Sequence, residues 1–113
     1  MHELSVTQGM LDIVLRHAQQ AGARRITHIN LRIGDLSSIV DDSVQFYFDF
    51  ISRGTIAEGA QLVFQRVPAT FHCRDCGNTF TPQARDFTCP HCGGMRVEVI
   101  AGNEFQVESI EVE

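Results

Sequence analysis

Hydrophobic residues between positions 4 and 21 recur at offsets of three, four and seven, which is the period of an amphipathic helix. The apolar positions are Leu4, Leu11, Val14, Leu15, Ala18 and Ala21. Ser5 and Gln8 have the spacing of a capping box, and Gly22 lies where a left-handed C-terminal cap would be needed. The pattern therefore predicts a first helix over residues 4–21.

Polar and apolar residues alternate from Ile26 to Ile33, and Gly34-Asp35 follows as a turn. Alternation with a period of two predicts a strand with one apolar face. A second strand is predicted over residues 61–67, before Pro68, and a third over residues 105–112. In the third strand the apolar pattern slips between Val107 and Ile110, which predicts a bulge. Its acidic residues are expected to form a solvated strand edge that resists edge pairing: Glu108, Glu111 and Glu113.

Residues 41–53 fit a strand and a helix about equally well, because their aromatic residues alternate and also share a helical face. The flanking residues favour the helix. Asp41, Asp42 and Ser43 are good N-terminal capping residues, and Gly54 is a good stop. We therefore predict a second helix here, with the two aspartates as helix caps.

The segment from residue 68 to 102 differs from the rest of the chain, because it contains all four cysteines and is rich in glycine and proline. Such a segment buries little apolar surface and needs a cross-link to hold a fold. We expect it to be an insertion between two neighbouring strands of the main sheet. The sequence thus predicts an α/β (α+β) fold of two helices on a small sheet, with residues 1–67 completed by 103–113 and an inserted zinc-ribbon-like domain at 68–102.

Size and charge narrow the possible functions. A chain of 113 residues supports one compact core, and fourteen acids against nine bases, all arginine, leave a formal net charge of -5. This balance argues against a generic nucleic-acid binder. No apolar run approaches the roughly 20 residues of a membrane span, and the start of the chain lacks the features of a secretory signal. We therefore expect a cytoplasmic protein whose cysteines bind a metal.

Two CxxCG knuckles, separated by twelve residues, predict a closed tetrahedral metal site. The ligands would be Cys73, Cys76, Cys89 and Cys92. Four thiolates leave no position for water, so the ion would be structural, with zinc favoured and rubredoxin-like iron as its competitor. Free thiols or a redox pair are the remaining alternatives. His72 and His91 adjoin the ligands, and we expect them to be solvated neighbours that donate to sulfur.

The first three residues, Met1-His2-Glu3, combine several nitrogen donors within one short arc. The bulky His2 should prevent removal of Met1, which leaves the α-amine beside the His2 amide and imidazole, with the Glu3 carboxylate nearby. Such a nitrogen-rich, nearly planar set suits Ni(II) or Cu(II) better than zinc. On these residues alone, a frayed terminus ahead of a helix remains the alternative.

Several motifs together resemble the HypA/HybF family of hydrogenase-maturation nickel metallochaperones over essentially the whole chain. They are Met1-His2-Glu3, Ile33-Gly34-Asp35, the two cysteine knuckles and Gly102-Asn103-Glu104. The resemblance implies Ni(II) bound through the Met1 amine, His2 and Glu3, and structural Zn(II) bound by the four cysteines. It also implies a nickel-binding α/β domain with a protruding zinc-binding domain.

The resemblance implies partners as well. They are a maturation GTPase and the large subunit of a [NiFe]-hydrogenase, with a role in urease maturation and a homodimer both left open. No enzymatic activity is expected, because the sequence shows no Ser-His-Asp or Cys-His pattern of a catalytic nucleophile. Two other functions remain as alternatives: a zinc-ribbon module that binds nucleic acid or protein, and a rubredoxin-like electron carrier.

Overall fold

The computed structural model describes residues 2–82 and 86–113, with the side chain of His2 left undescribed. Within these described residues, the chain forms two helices and six strands in this order: α1 (His2–Gln20), β1 (Ile26–Gly34), α2 (Asp41–Ile51), β2 (Gln61–Val67), β3 (Thr70–Cys73), β4 (Thr79–Phe80), β5 (Val97–Ala101) and β6 (Phe105–Val112). The predicted α/β class is confirmed, as are both helices and the three long strands. Within the described residues, no helix is long and apolar enough to span a membrane.

The first helix begins earlier than its apolar pattern indicates. Because α1 starts at His2, Ser5 lies inside the helix, and the Gln8 side chain donates to the Asp12 carboxylate at 3.2 Å. The predicted capping box is therefore wrong. The C-terminal end follows the prediction, since Gly22 has a left-handed φ of 68°.

Residues 41–51 form a helix, which confirms the prediction of a helix over a strand, but the capping of this helix differs from the prediction. Val40 is the N-cap residue and makes no side-chain capping hydrogen bond. Asp41 and Asp42 lie in the first turn, where their charge complements the positive end of the helix dipole, so their assignment as caps is wrong. Val44 and Phe48 are fully buried, one helical turn apart.

Strand β1 is the centre of a three-stranded sheet with the order β2-β1-β6. Its buried apolar side chains are Ile26, Ile29, Leu31 and Ile33. The cysteine segment connects β2 to β6, which lie on opposite sides of β1. Its predicted placement between neighbouring strands is therefore wrong, because a strand formed earlier in the chain separates the two.

Strand β6 lies at the edge of this sheet, as its acidic residues suggest, but those acids have partners. Arg25 contacts the Glu113 carboxylate at 3.0 Å. The His28 ring approaches Glu111 at 3.8 Å, and the Arg32 guanidinium approaches Glu108 at 3.9 Å. The predicted solvated edge thus also contacts side chains of β1 and of Arg25, the residue directly before β1. The predicted bulge in β6 stays a prediction.

The chain divides into two compact units. The first contains the described residues of Met1–Arg32, Ser38–Gln65 and Gln106–Glu113, and the second contains those of Ile33–Ser37 and Arg66–Phe105. The second unit has its own antiparallel sheet, ordered β4-β3-β5, in which Phe71 is opposite Phe80 and His72 is opposite Glu98. The sequence patterns missed this sheet because its strands are only four, two and five residues long. The assignment of nickel and zinc to separate domains stays a prediction.

Two glycines of the second unit bring their backbones into direct contact. A Cβ added at Gly34 would lie 2.0 Å from the carbonyl oxygen of Gly102. Two hydrogen bonds hold the segments together: Gly34 donates to the Glu104 carbonyl at 2.8 Å, and Leu36 donates to the Gly102 carbonyl at 2.6 Å. The motifs Ile33-Gly34-Asp35 and Gly102-Asn103-Glu104 therefore form one packed feature, and its closeness requires glycine.

We predict that Gly34→Ala destabilises the zinc-loaded protein by about 2 kcal/mol, because backbone atoms cannot yield to the new methyl group. Denaturant unfolding measures the change. Gly9→Ala is the matched control, since nothing lies within 4 Å of an added Cβ on that exposed face of α1. This control should raise stability by up to about 1 kcal/mol. Equal stabilities for the two variants would contradict the proposed close contact.

Candidate metal centre

The four cysteine sulfurs converge on one point. Their Sγ atoms all lie within 4.8 Å of one another, and the Cys73–Cys92 and Cys76–Cys89 pairs are each 3.6 Å apart. A tetrahedral zinc tetrathiolate with bonds of about 2.3 Å has sulfur–sulfur edges of about 3.8 Å. None of the four is in a disulfide. The predicted ligand set thus has the size and donor type that zinc requires.

The first knuckle is a tight turn built around Cys73. The Cys73 amide donates to the Asn78 carbonyl at 2.9 Å, and the Gly77 amide donates back to the Cys73 carbonyl at 2.9 Å. Gly77 has a φ of 80°, which only glycine adopts without strain. The Asn78 side-chain amide also donates to the Cys76 sulfur at 3.4 Å. Asn78 is a residue that the sequence analysis missed; the signal was its position directly after the CxxCG motif.

The second knuckle repeats the backbone pattern of the first. The Cys89 amide donates to the Gly94 carbonyl and the Gly93 amide donates to the Cys89 carbonyl, both at 2.9 Å. The His91 amide contacts the Cys89 sulfur, and the Gly94 amide contacts the Cys92 sulfur, each at 3.4 Å. Gly93 has a φ of 72°. Two equivalent turns thus present two sulfurs each, with backbone dipoles that favour thiolate over thiol.

Local hydrogen bonds give the thiols of Cys76 and Cys92 different pKa values. The backbone amide of Asn78 lowers the pKa of Cys76 to about 7. The Gly94 amide acts to lower the pKa of Cys92, but the hydrogen bond to the Cys73 thiol and desolvation outweigh it and raise that pKa to about 12. Four thiols this close cannot all ionise alone. A bound divalent cation would replace their protons, so metal affinity falls as the solution becomes more acidic.

The two histidines beside the ligands have different surroundings. The His72 ring lies 3.2 Å from the Glu98 carboxylate, so the prediction that it donates to sulfur is wrong for this side chain. Arg74 donates to the other Glu98 oxygen at 2.8 Å, and this hydrogen bond, followed by that of His72, lowers the pKa of Glu98. His91 contacts sulfur through its backbone amide, as described above, and is exposed. Among the residues that the structure describes, this cluster of potential metal ligands therefore consists of the four cysteines.

The structure describes the N-terminal residues only in part. Met1 lies outside the described residues, and the structure says nothing about the side chain of His2. Glu3 is half-buried in the first turn of α1, where its carbonyl accepts a hydrogen bond from the Thr7 hydroxyl. A hydrogen bond from its own backbone amide lowers the pKa of the Glu3 carboxyl. The predicted nickel set of the Met1 amine, His2 and Glu3 stays a prediction.

Comparison with known proteins adds to this geometry. Residues 1–112 match a family model described as "Hydrogenase/urease nickel incorporation, metallochaperone, hypA". The chain belongs to the HypA family. Curated relatives named hydrogenase maturation factor HypA include one from Dehalococcoides mccartyi, 50% identical over 113 residues, which cover 100% of this chain and 95% of the relative. Another, from Caldanaerobacter subterraneus, is 47% identical and covers 100% of both chains.

Solved structures of HypA proteins share the fold. One solution structure of a HypA protein is 26% identical, has a TM-score of 0.78, and covers 100% of this chain and 97% of its own. The solution structure of the Ni metallochaperone HypA from Helicobacter pylori has a TM-score of 0.70 at 24% identity and covers 97% and 96%. These comparisons confirm the family resemblance. They make the chain a member of a nickel metallochaperone family that serves hydrogenase and urease nickel incorporation.

We predict that Cys73→Ser abolishes the tightly held metal, because it removes a buried ligand that also belongs to the core of the second unit. A structural zinc contributes on the order of 10 kcal/mol to folding, so β3 and β5 should lose protection from amide hydrogen exchange. Native mass spectrometry counts the metal. The control His91→Ala should retain one zinc per chain. Visible absorption from iron in the wild-type protein, or a full complement of zinc in Cys73→Ser, would contradict the assignment.

Proposed function

We propose that this chain carries Ni(II) at its N-terminus and delivers it during maturation of [NiFe]-hydrogenase in the cytoplasm, while a zinc ion held by the four cysteines stabilises the second unit. The observation that carries the proposal is the HypA family match across residues 1–112, which includes His2, Glu3 and all four cysteines. The donor chemistry of Met1-His2-Glu3 agrees with it, since amine, amide and imidazole nitrogens suit Ni(II).

The position of α1 supports nickel binding at this end of the chain. Because the helix begins at His2, the first backbone amides have no carbonyl acceptor within the helix. The His2 amide can therefore serve as a metal ligand without breaking a helical hydrogen bond. Carboxylates are also favoured in the first turn by the helix dipole, which is where Glu3 lies.

The zinc site supports the proposal that one metal ion is structural and the other is exchangeable. Its four ligands close the coordination sphere, so a second ion cannot enter without displacing the first. Cargo nickel needs ligands that can be exchanged, and donor groups at a chain terminus provide them at little structural cost. We propose the hydrogenase large subunit as the protein that receives the nickel, and a maturation GTPase as a further partner in the delivery. The family description also includes urease, and the same carrier chemistry would serve it.

We predict that His2→Ala weakens Ni(II) binding by about 100-fold or more, because it removes the imidazole that completes the nitrogen set. Calorimetric titration of the zinc-loaded protein with NiCl₂ measures the affinity, and circular dichroism monitors α1. His28→Ala is the matched control: its ring contacts Thr27 and Glu111 in the first sheet, so nickel affinity should not change. Nickel affinity that is equal in the two variants would refute the N-terminal chelate.

A second prediction isolates the α-amine. Extending the chain by two residues before Met1 moves the amine while it keeps every side chain, so Ni(II) affinity should fall by about tenfold or more. The zinc content and the helical signal should stay unchanged. The control is the same extension placed after Glu113, which leaves the amine in position. If nickel affinity survives the N-terminal extension, the amine is not a ligand.

A further inference from the structure

The first unit contains an apolar cavity of about 260 Å³ that neither metal site uses. Ile13, Val14 and His17 of α1 line one side, and residues 107–110 of β6 line the other. Its volume lies below the roughly 300–1,000 Å³ of sites for drug-sized ligands. The cavity therefore has room for one large side chain rather than for a complete cofactor.

The lining residues place the cavity on the free edge of the sheet. Side chains alternate between the two faces of a strand, so a cavity lined by four consecutive residues of β6 follows its edge rather than one face. No residue of β1, which occupies the other edge of β6, contributes to the lining. In the described part of the chain, no strand pairs with the outer edge. A groove between an edge strand and a helix is the arrangement that binds an extended peptide as an added strand.

Charge identifies the kind of peptide. Residues 105–112 include Glu108 and Glu111 but no base, and Glu113 follows directly. Arg32 lies 3.9 Å from Glu108 and the His28 ring lies 3.8 Å from Glu111, which leaves these exposed carboxylates free to contact an incoming cation as well. Two copies of β6 paired edge to edge would place like charges together, which is unfavourable. The edge is thus complementary to a basic strand and unsuited to self-association.

We propose that the groove between α1 and β6 binds an extended, basic segment of a partner polypeptide by strand addition. One large aliphatic side chain of that segment would enter the cavity against Ile13 and Val107. Its arginine or lysine residues would face the glutamates of β6, and its backbone would hydrogen-bond to the outer edge of the strand. This proposal is independent of nickel binding, since Ile13 and β6 contribute to neither metal site.

The test uses the zinc-loaded full chain and a synthetic probe, the acetylated and amidated peptide Arg-Val-Arg-Leu-Arg-Val-Arg. NMR titration should shift the amide signals of β6 and the methyl signals of Ile13, with binding that weakens as salt increases. The same peptide methylated on alternate backbone nitrogens should bind at least tenfold more weakly, because it cannot complete the strand pairing. A peptide with glutamate in place of arginine should not bind.

Matched variants locate the binding site. Ile13→Ser should weaken probe binding by about tenfold, whereas Leu4→Ser should not. These two side chains lie on the same helix with similar exposure, 41% and 44%, but only Ile13 lines the cavity. Glu108→Gln should also weaken binding, while Asp49→Asn on α2, with the same change of charge, should not. Unchanged zinc and nickel binding in Ile13→Ser would show that the groove acts separately.

Four results would overturn the proposal. One is the absence of any shift at millimolar peptide, and another is binding that Ile13→Ser and Glu108→Gln both leave unchanged. The third is a titration in which the peptide shifts the NMR signals of Phe46 and Phe50, on the exposed aromatic face of α2, and not those of β6. Sedimentation that detects a dimer formed through β6 would equally refute it, since a second copy would then be the occupant. Because Glu108 is exposed, its variant keeps the test decisive even if Ile13→Ser folds poorly.

Discussion

The convergence of four cysteine sulfurs is the constraint on which the second unit depends. Among the described residues of this unit, one buried cluster consists of Ala69, Phe71, Cys73, Phe80 and Cys89, so two of these five side chains are also candidate metal ligands. The free energy gained by burying so few apolar side chains cannot offset the conformational entropy lost when the segment becomes ordered. With the proposed zinc ion, metal binding and folding would be one event, and the ion would contribute the stability that so few apolar residues cannot supply.

The first unit does not share this dependence. Its core is formed by aliphatic and aromatic residues from α1, α2 and β1, including Val14, Val44, Phe48 and Ile29, all fully buried. None of the cysteine ligands lies in it. In the proposed function, this separation would let an exchangeable cargo ion bind and leave at the N-terminus of α1 while hydrophobic burial stabilises the helix.

Local patterns failed where short-range signals competed with tertiary contacts. Ser5 has the spacing of a capping residue, but α1 begins at His2. Ser5 therefore lies three residues inside the helix and not at its N-cap. Asp41 and Asp42 are good capping residues, yet Val40 takes that position and the aspartates act through charge. His72 adjoins a ligand in sequence but faces Glu98, because strand alternation directs it away from its neighbour Cys73.

The sequence by itself determined the helices, the three long strands, the metal-binding cysteines and the family, because each rests on local periodicity or on fixed spacing between chemically distinctive residues. Only the tertiary structure decided the strand order β2-β1-β6, the small sheet around Cys73, the contact between Gly34 and Gly102, and the groove beside β6. These features join residues distant in the chain. Their free energy comes from packing and backbone hydrogen bonds that no local pattern encodes.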